Sequence, residues 1–192
     1  MRTISKGRKT GETQIEITLN LDGSGISKIN TGIGFFDHML TLLSFHSKVD
    51  LDISCQGDLE VDGHHTVEDI GLLLGECILE ALGDKKGIER YGMSYLPMDE
   101  TLARVVLDLS GRAYLVYECT YNRFDLGQMD VQNIKEFFKS LANTLKVTLH
   151  MTVLYGENDH HKAEALFKGF GRAFKDAIKI SGDVLPSTKG VL

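Results

Sequence analysis

The chain has 192 residues, of which 42% are hydrophobic and three are cysteines, and its formal net charge is -6. The length suits one large domain or two small ones with a packed core, and the negative balance argues against a nucleic-acid footprint, although local basic positions can still hold a phosphate-bearing metabolite. Cys55, Cys77 and Cys119 are far apart with no CxxC, which argues against a disulfide framework or a zinc knuckle and fits a reducing cytoplasm.

Residues 1–11 are polar and basic without an apolar core, and no stretch approaches the ~20 apolar residues of a membrane span, so neither a signal nor an anchor is read. From Gln14 to Leu21 apolar residues alternate, and Asp22-Gly23 supplies a turn. This predicts a half-buried strand and a hairpin whose return strand carries Ile26 and Ile29. After Gly32-Ile33-Gly34 the run Phe35 to Leu43 reads as a buried helix. Val49 to Ile53 alternates again, Gly57-Asp58 turns, and 59–62 leads into the pair His64-His65. From Glu68 onward Ile70, Leu73, Leu74, Cys77, Ile78, Ala81 and Leu82 follow helical spacing, with Gly83 placed to cap the end. Gly71 and Gly75 sit inside that helix and cost roughly 1 kcal/mol each against alanine, which predicts a close neighbour there.

After Arg90 the pattern begins again. Glu100-Thr101 stands 88 residues after Glu12-Thr13, Phe137-Phe138 answers Phe35-Phe36, and Val147 to Leu154 answers the strand at 49–53. His160-His161 stands 96 residues after His64-His65 and opens a helix with Leu166, Phe170, Ala173, Phe174, Ala177 and Ile178 on one face. The expectation is a single α+β domain over 1–192, a tandem duplication of a β-β-α-β-β-α unit with repeats at about 1–90 and 91–192, and antiparallel sheets carrying helices on one face.

Each histidine pair is followed three residues later by a glutamate: His64-His65-Thr66-Val67-Glu68 and His160-His161-Lys162-Ala163-Glu164. At a helix start, His64 and Glu68 share a face while His65 points about 100° away, so one motif can serve two neighbouring metals. A single copy reads equally well as a capped helix start with exposed imidazoles; two copies at matching places favour metal. His38 and Glu136 precede the two pairs by 26 and 24 residues within equivalent helices. Either is a further ligand, or else a core histidine and a surface carboxylate. Four candidates per half, shared between two octahedral ions, leave open positions, which suit catalysis; the hard donors favour an ion such as Mn(II) over structural zinc. Arg90, Arg112, Lys168 and Lys189 read individually as surface charge, but Lys168 follows Glu164 by one turn, and Ser187-Thr188-Lys189-Gly190 offers donors of the kind that hold phosphate. Left to themselves, these residues also fit a metal-storage protein or a metal-dependent hydrolase acting on a phosphorylated small molecule.

Taken together, Arg8 to Thr13, Gly34 to Leu40, Asp62 to Asp69, Gly156 to Glu164 and Pro186 to Gly190 resemble the imidazoleglycerol-phosphate dehydratase family over essentially the whole chain. The resemblance implies a fold like the second domain of ribosomal protein S5, two Mn(II) ions per active site, and a large symmetric homo-oligomer with sites at subunit interfaces. It implies ligands at His38, His64, His65, Glu68, His160, His161 and Glu164, with Glu136 where many members have histidine. Substrate contacts carry over to Glu12, His46, Arg90, Arg112, Lys168, Ser187, Thr188 and Lys189. It further implies a hydro-lyase of histidine biosynthesis that converts imidazole glycerol phosphate to imidazole acetol phosphate. The hydrogen lost in that reaction is not next to a carbonyl, so a lone base, worth about 10²- to 10⁴-fold, is too weak. A metal-bound imidazolate that expels the hydroxyl through a diazafulvene-like intermediate, with Glu12 as acid/base, is the expected route.

Overall fold

A computed structural model of the protein describes residues 2–192. The first repeat contains β1 (Thr3–Lys9), β2 (Thr13–Asn20), β3 (Ser27–Asn30), α1 (Gly34–Ser47), β4 (Asp50–Gly57) and α2 (His64–Leu82). The second contains β5 (Tyr91–Met98), β6 (Thr101–Asp108), β7 (Tyr114–Glu118), the two-stranded ribbon β8 (Asp125–Leu126) and β9 (Met129–Asp130), α3 (Gln132–Leu145), β10 (Thr148–Tyr155) and α4 (Asp159–Ala177). Each repeat builds one four-stranded sheet, ordered β1-β2-β4-β3 and β5-β6-β10-β7. The two orders are the same once strands are matched by repeat, and the ribbon is an insertion peculiar to the second.

The α+β class and the duplication are as the sequence predicts, with one change inside the unit. The third strand precedes the first helix, and 59–62 forms a turn instead of a strand. Nor do β2 and β3 form the expected hairpin. The chain leaves β2 at Asp22-Gly23, skips a place, and β3 pairs parallel with β4, which itself lies antiparallel to β2. The second repeat does the same with β7 and β10. Asp50 fixes the skip: its Oδ1 accepts the backbone N–H of Ser24, Gly25 and Ile26, each at 2.9 Å.

Along β2 and β4 every second side chain is buried, Ile15, Ile17 and Leu19 against Leu51, Ile53 and Cys55, so each sheet turns one face to its helices. The helices then pack on those of the other repeat, α2 on α3 and α1 on α4, and form an inner layer with the sheets outside. Phe36 meets Phe137 edge-on at 5.3 Å across the repeats, and Phe138 lies 4.7 Å from Phe167. Burial of such rings contributes about 1.5 to 3 kcal/mol each. All three cysteines are free, and among the described residues no helix is long and apolar enough to cross a membrane.

Candidate metal centre and active site

The α1–α4 contact brings together three of the expected ligands. His160 and Glu164 lie one turn apart on α4, and His38 faces them from α1. Nε2 of His38 is 2.9 Å from Oε1 of Glu164, and Nε2 of His160 is 3.0 Å from the same oxygen. A carboxylate can only accept, so both rings donate Nε2–H to it. One donor atom from each residue lies within 4.8 Å of the others, the one such convergence among the described residues. Two imidazoles and a carboxylate form a donor set suited to a divalent ion that would take the place of the two shared protons. Lys168, one turn further, holds the second Glu164 oxygen at 2.5 Å. Burial pushes the Glu164 carboxyl up, but Lys168, His38 and His160 overcome it and hold the pKa at about 2.

The α2–α3 contact repeats this plan loosely. His64 Nε2 is 3.7 Å from Glu68, and His64 Nδ1 is 3.3 Å from Asn133 Oδ1. Glu136, the counterpart of His38 on α3, pairs with Lys139 at 2.9 Å. It does not join His64 and Glu68 in a convergent group.

The second histidine of each pair faces elsewhere, as helical geometry predicts. The rings of His64 and His65 are 77° apart in plane and those of His160 and His161 88°. His65 Nδ1 lies 3.0 Å from Asp58, and its Nε2 lies 3.7 Å from Glu12. His161 Nδ1 lies 2.7 Å from Glu100, and its Nε2 lies 3.8 Å from Asp99. Hydrogen bonding to Asp58 holds the His65 imidazole above its usual pKa. The Asn158 N–H, reinforced by His161, holds Glu100 far below the usual carboxylate range. Asp58, Glu100 and Asn133 carry no motif that marks them as partners of the histidines. Only Glu100 has a signal, its place as the repeat of Glu12.

Apart from Glu12, which stands beside His65, the expected substrate contacts fall into two groups. His46 and Lys168 lie along the α1–α4 groove near the His38 cluster. His46 opens on a cavity of about 230 Å³ that is also lined by Phe45, Lys48, Arg172, Lys175 and Asp176. Burial first, and then Lys168, Arg172 and Lys48, lower the pKa of its imidazole. The other group surrounds the C-terminal segment. Arg90 grips Asp108 at 2.7 and 3.1 Å and donates to the Pro186 carbonyl at 2.8 Å. Gly111, next to Arg112, abuts Leu192 so closely that a Cβ there would stand 2.7 Å from the Leu192 carbonyl carbon. Ser187 Oγ donates to the Val191 carbonyl at 2.8 Å, while Thr188 and Lys189 are exposed. The two groups are set on different elements, one on α1 and α4 and the other on the β5–β6 hairpin, its neighbouring turn and the C-terminal segment.

A family profile described as imidazoleglycerol-phosphate dehydratase matches residues 31–174. A protein of Exiguobacterium sp. named imidazoleglycerol-phosphate dehydratase is 56% identical over 99% of this chain and 98% of its own. One of that name from Clostridium botulinum is 55% identical over 96% and 95%. The crystal structure of imidazoleglycerol-phosphate dehydratase from Staphylococcus aureus matches with a TM-score of 0.85 at 42% identity, covering 93% of this chain and 99% of that one. The enzyme from Pyrococcus furiosus, in complex with (S)-C348, matches with a TM-score of 0.84 at 36% identity, covering 97% and 100%.

Proposed function

The chain belongs to the imidazoleglycerol-phosphate dehydratase family, and from that premise we propose that it is a manganese-dependent hydro-lyase of histidine biosynthesis, removing water from imidazole glycerol phosphate to give imidazole acetol phosphate. The observation that carries this reading is the convergence of His38, His160 and Glu164 within 4.8 Å, a donor set with room for further ligands.

Two Mn(II) ions per site would be held by His38, His64, His65, Glu68, His160, His161 and Glu164, with Glu136 replacing the histidine of many members; Lys139 must release it first. When bound, the ions would supply Lewis acidity toward the imidazole ring, favouring its anionic form, from which the side-chain hydroxide can leave. Glu12 takes and returns the proton at the side-chain carbon and oxygen. Its support is an exposed position in the β1–β2 turn, 3.7 Å from Nε2 of a proposed ligand. Lys168 and His46 hold the substrate from the α1–α4 groove. Arg90 keeps the Pro186 segment in place, so that Ser187, Thr188 and Lys189, with Arg112, meet the phosphate. Because the two groups are set on different elements of one chain, each site draws on more than one chain of a symmetric homo-oligomer. The free cysteines fit a cytoplasmic location.

The test is incubation of the Mn(II)-loaded protein with imidazole glycerol phosphate and detection of the keto product. Release of inorganic phosphate in place of that product would indicate a hydrolase, and no turnover would leave only metal binding. Glu12→Gln should keep Mn(II) and substrate affinity and lose turnover by about 10²- to 10⁴-fold; near-normal turnover would remove Glu12 from its role.

A further inference from the structure

We propose that Asp58 and Glu100 are positioning residues that fix the tautomer and ring orientation of His65 and His161, and that Glu100 and Glu12, repeat-equivalent residues, have diverged into an orienting group and a reacting group. The first part rests on the proposed ligand role of the two histidines, and the second on the equivalence of the two turns together with the proposed acid/base role of Glu12.

The geometry is the same at both rings. His65 Nδ1 stands 3.0 Å from Asp58 Oδ2, and His161 Nδ1 stands 2.7 Å from Glu100 Oε2. An ionised carboxylate has no proton to give, so each ring carries a hydrogen on Nδ1 and, in its neutral form, leaves a lone pair on Nε2. A ligating imidazole needs this arrangement, with a carboxylate on the far nitrogen to fix the ring and raise its basicity. His38 and His160 differ, since their Nε2 atoms already point at Glu164.

The duplication did not copy this device. Glu12 precedes Thr13 at the start of β2, and Glu100 precedes Thr101 at the start of β6, so the two glutamates occupy equivalent turns. Glu100 reaches the Nδ1 side of His161, whereas Glu12 approaches the Nε2 side of His65 at 3.7 Å. The two glutamates thus address opposite nitrogens of equivalent histidines. In the first repeat Asp58, from the end of β4, supplies the Nδ1 acceptor, and Glu12 is left exposed on the reactive side. In the second repeat Glu100 is immobilised. Its Oε1 accepts N–H from Glu157 at 3.1 Å and Asn158 at 2.7 Å. Asn158 in turn caps α4 by accepting the N–H of His160 and His161. The β5–β6 turn and the start of α4 are therefore joined through the Glu100 side chain around His161, whereas among the described residues the Glu12 side chain accepts no such backbone N–H.

Glu100→Gln separates orientation from stability. The glutamine carbonyl can keep the Glu157 and Asn158 hydrogen bonds while its NH2 faces Nδ1, which forces His161 into the Nε2–H tautomer. Nitrogen-15 NMR of the metal-stripped full chain should report Nδ1–H for His161 in the wild type and Nε2–H in the variant. Asp58→Asn should do the same at His65. Mn(II) affinity, followed by the EPR signal of free Mn(II), should fall about 10- to 100-fold in each variant, and Glu100→Asp should recover part of the loss. An unchanged tautomer with wild-type affinity would overturn the orienting role. A switched tautomer with unchanged Mn(II) affinity would leave the orientation intact and remove that histidine from the ligand set. For the divergence, the expected contrast is a Glu100→Gln variant that loses Mn(II) affinity against a Glu12→Gln variant that keeps Mn(II) affinity and loses turnover; equal losses of Mn(II) affinity in the two would overturn it.

Discussion

Glu164 is the residue on which the proposed centre turns, because one carboxylate accepts from two imidazoles and an ammonium at once. Burial alone would favour its neutral form, and the three donors reverse that preference. Its folded pKa, held at about 2, lies below the ordinary 4.5, so its contribution to stability is fully present above about pH 4.5 and is lost as pH falls toward 2. In the metal-free protein, thermal melts across that window should fall less steeply for Glu164→Gln than for the wild type. Equal slopes would mean that the cluster is not held by this charge. The HHxxE motifs, and the face shared by His160 and Glu164, are legible in sequence because helical spacing is a local property. The acceptors on the outer imidazole nitrogens are not, since Asp58 reaches His65 from a turn and Glu100 reaches His161 from 61 residues away. Nothing in either residue's sequence neighbours marks that contact.

Among the helices, α2 and α4 both carry glycines where they meet the opposite repeat. Gly75 and Gly171 each lie eleven residues past the first histidine of their motif, and each meets a helix of the opposite repeat. A Cβ at Gly75 would stand 2.7 Å from the Leu141 carbonyl oxygen, and one at Gly171 2.9 Å from that of Leu43. The intrahelical glycines were a local cost of roughly 1 kcal/mol each, and the close neighbour that cost predicted is α3. Gly75→Ala should therefore destabilise the fold by about 1 to 3 kcal/mol through overpacking, despite its better helix propensity. Denaturant titration measures this, and a stabilised variant would show that α2 and α3 can separate at no cost. Strands were less legible than helices for a physical reason. β1 is an edge strand in which Ile4, Lys6 and Arg8 turn inward and none is fully buried, so it lacks the apolar alternation that exposed β2. β3 was found but misplaced, because its partner is chosen by Asp50 across the sheet and not by the turn that precedes it.

At the scale of the whole molecule the duplication produces two unequal half-sites. The α1–α4 side has a convergent triad; the α2–α3 side has His64 and Glu68 3.7 Å apart and Glu136 held by Lys139. His65 and His161 are turned away from both, each nearly perpendicular to its neighbour. Eight proposed ligands thus exist in one chain without forming one centre, and the proposed phosphate-binding group around Arg90 and the Pro186 segment is set on different elements from Lys168. If the missing ligands come from other copies, a half-buried His161 of one chain completes the set begun by His38, His160 and Glu164 of another. A complementation experiment decides this. His160→Ala and His161→Ala chains should each be inactive alone. After they are stripped of metal, mixed and reassembled with Mn(II), some interfaces will pair an intact His160 from one variant with an intact His161 from the other. A fraction of wild-type turnover should return, in step with the appearance of mixed oligomers by native mass spectrometry. Mixed oligomers that form without any recovery would place both histidines in a site built within a single chain.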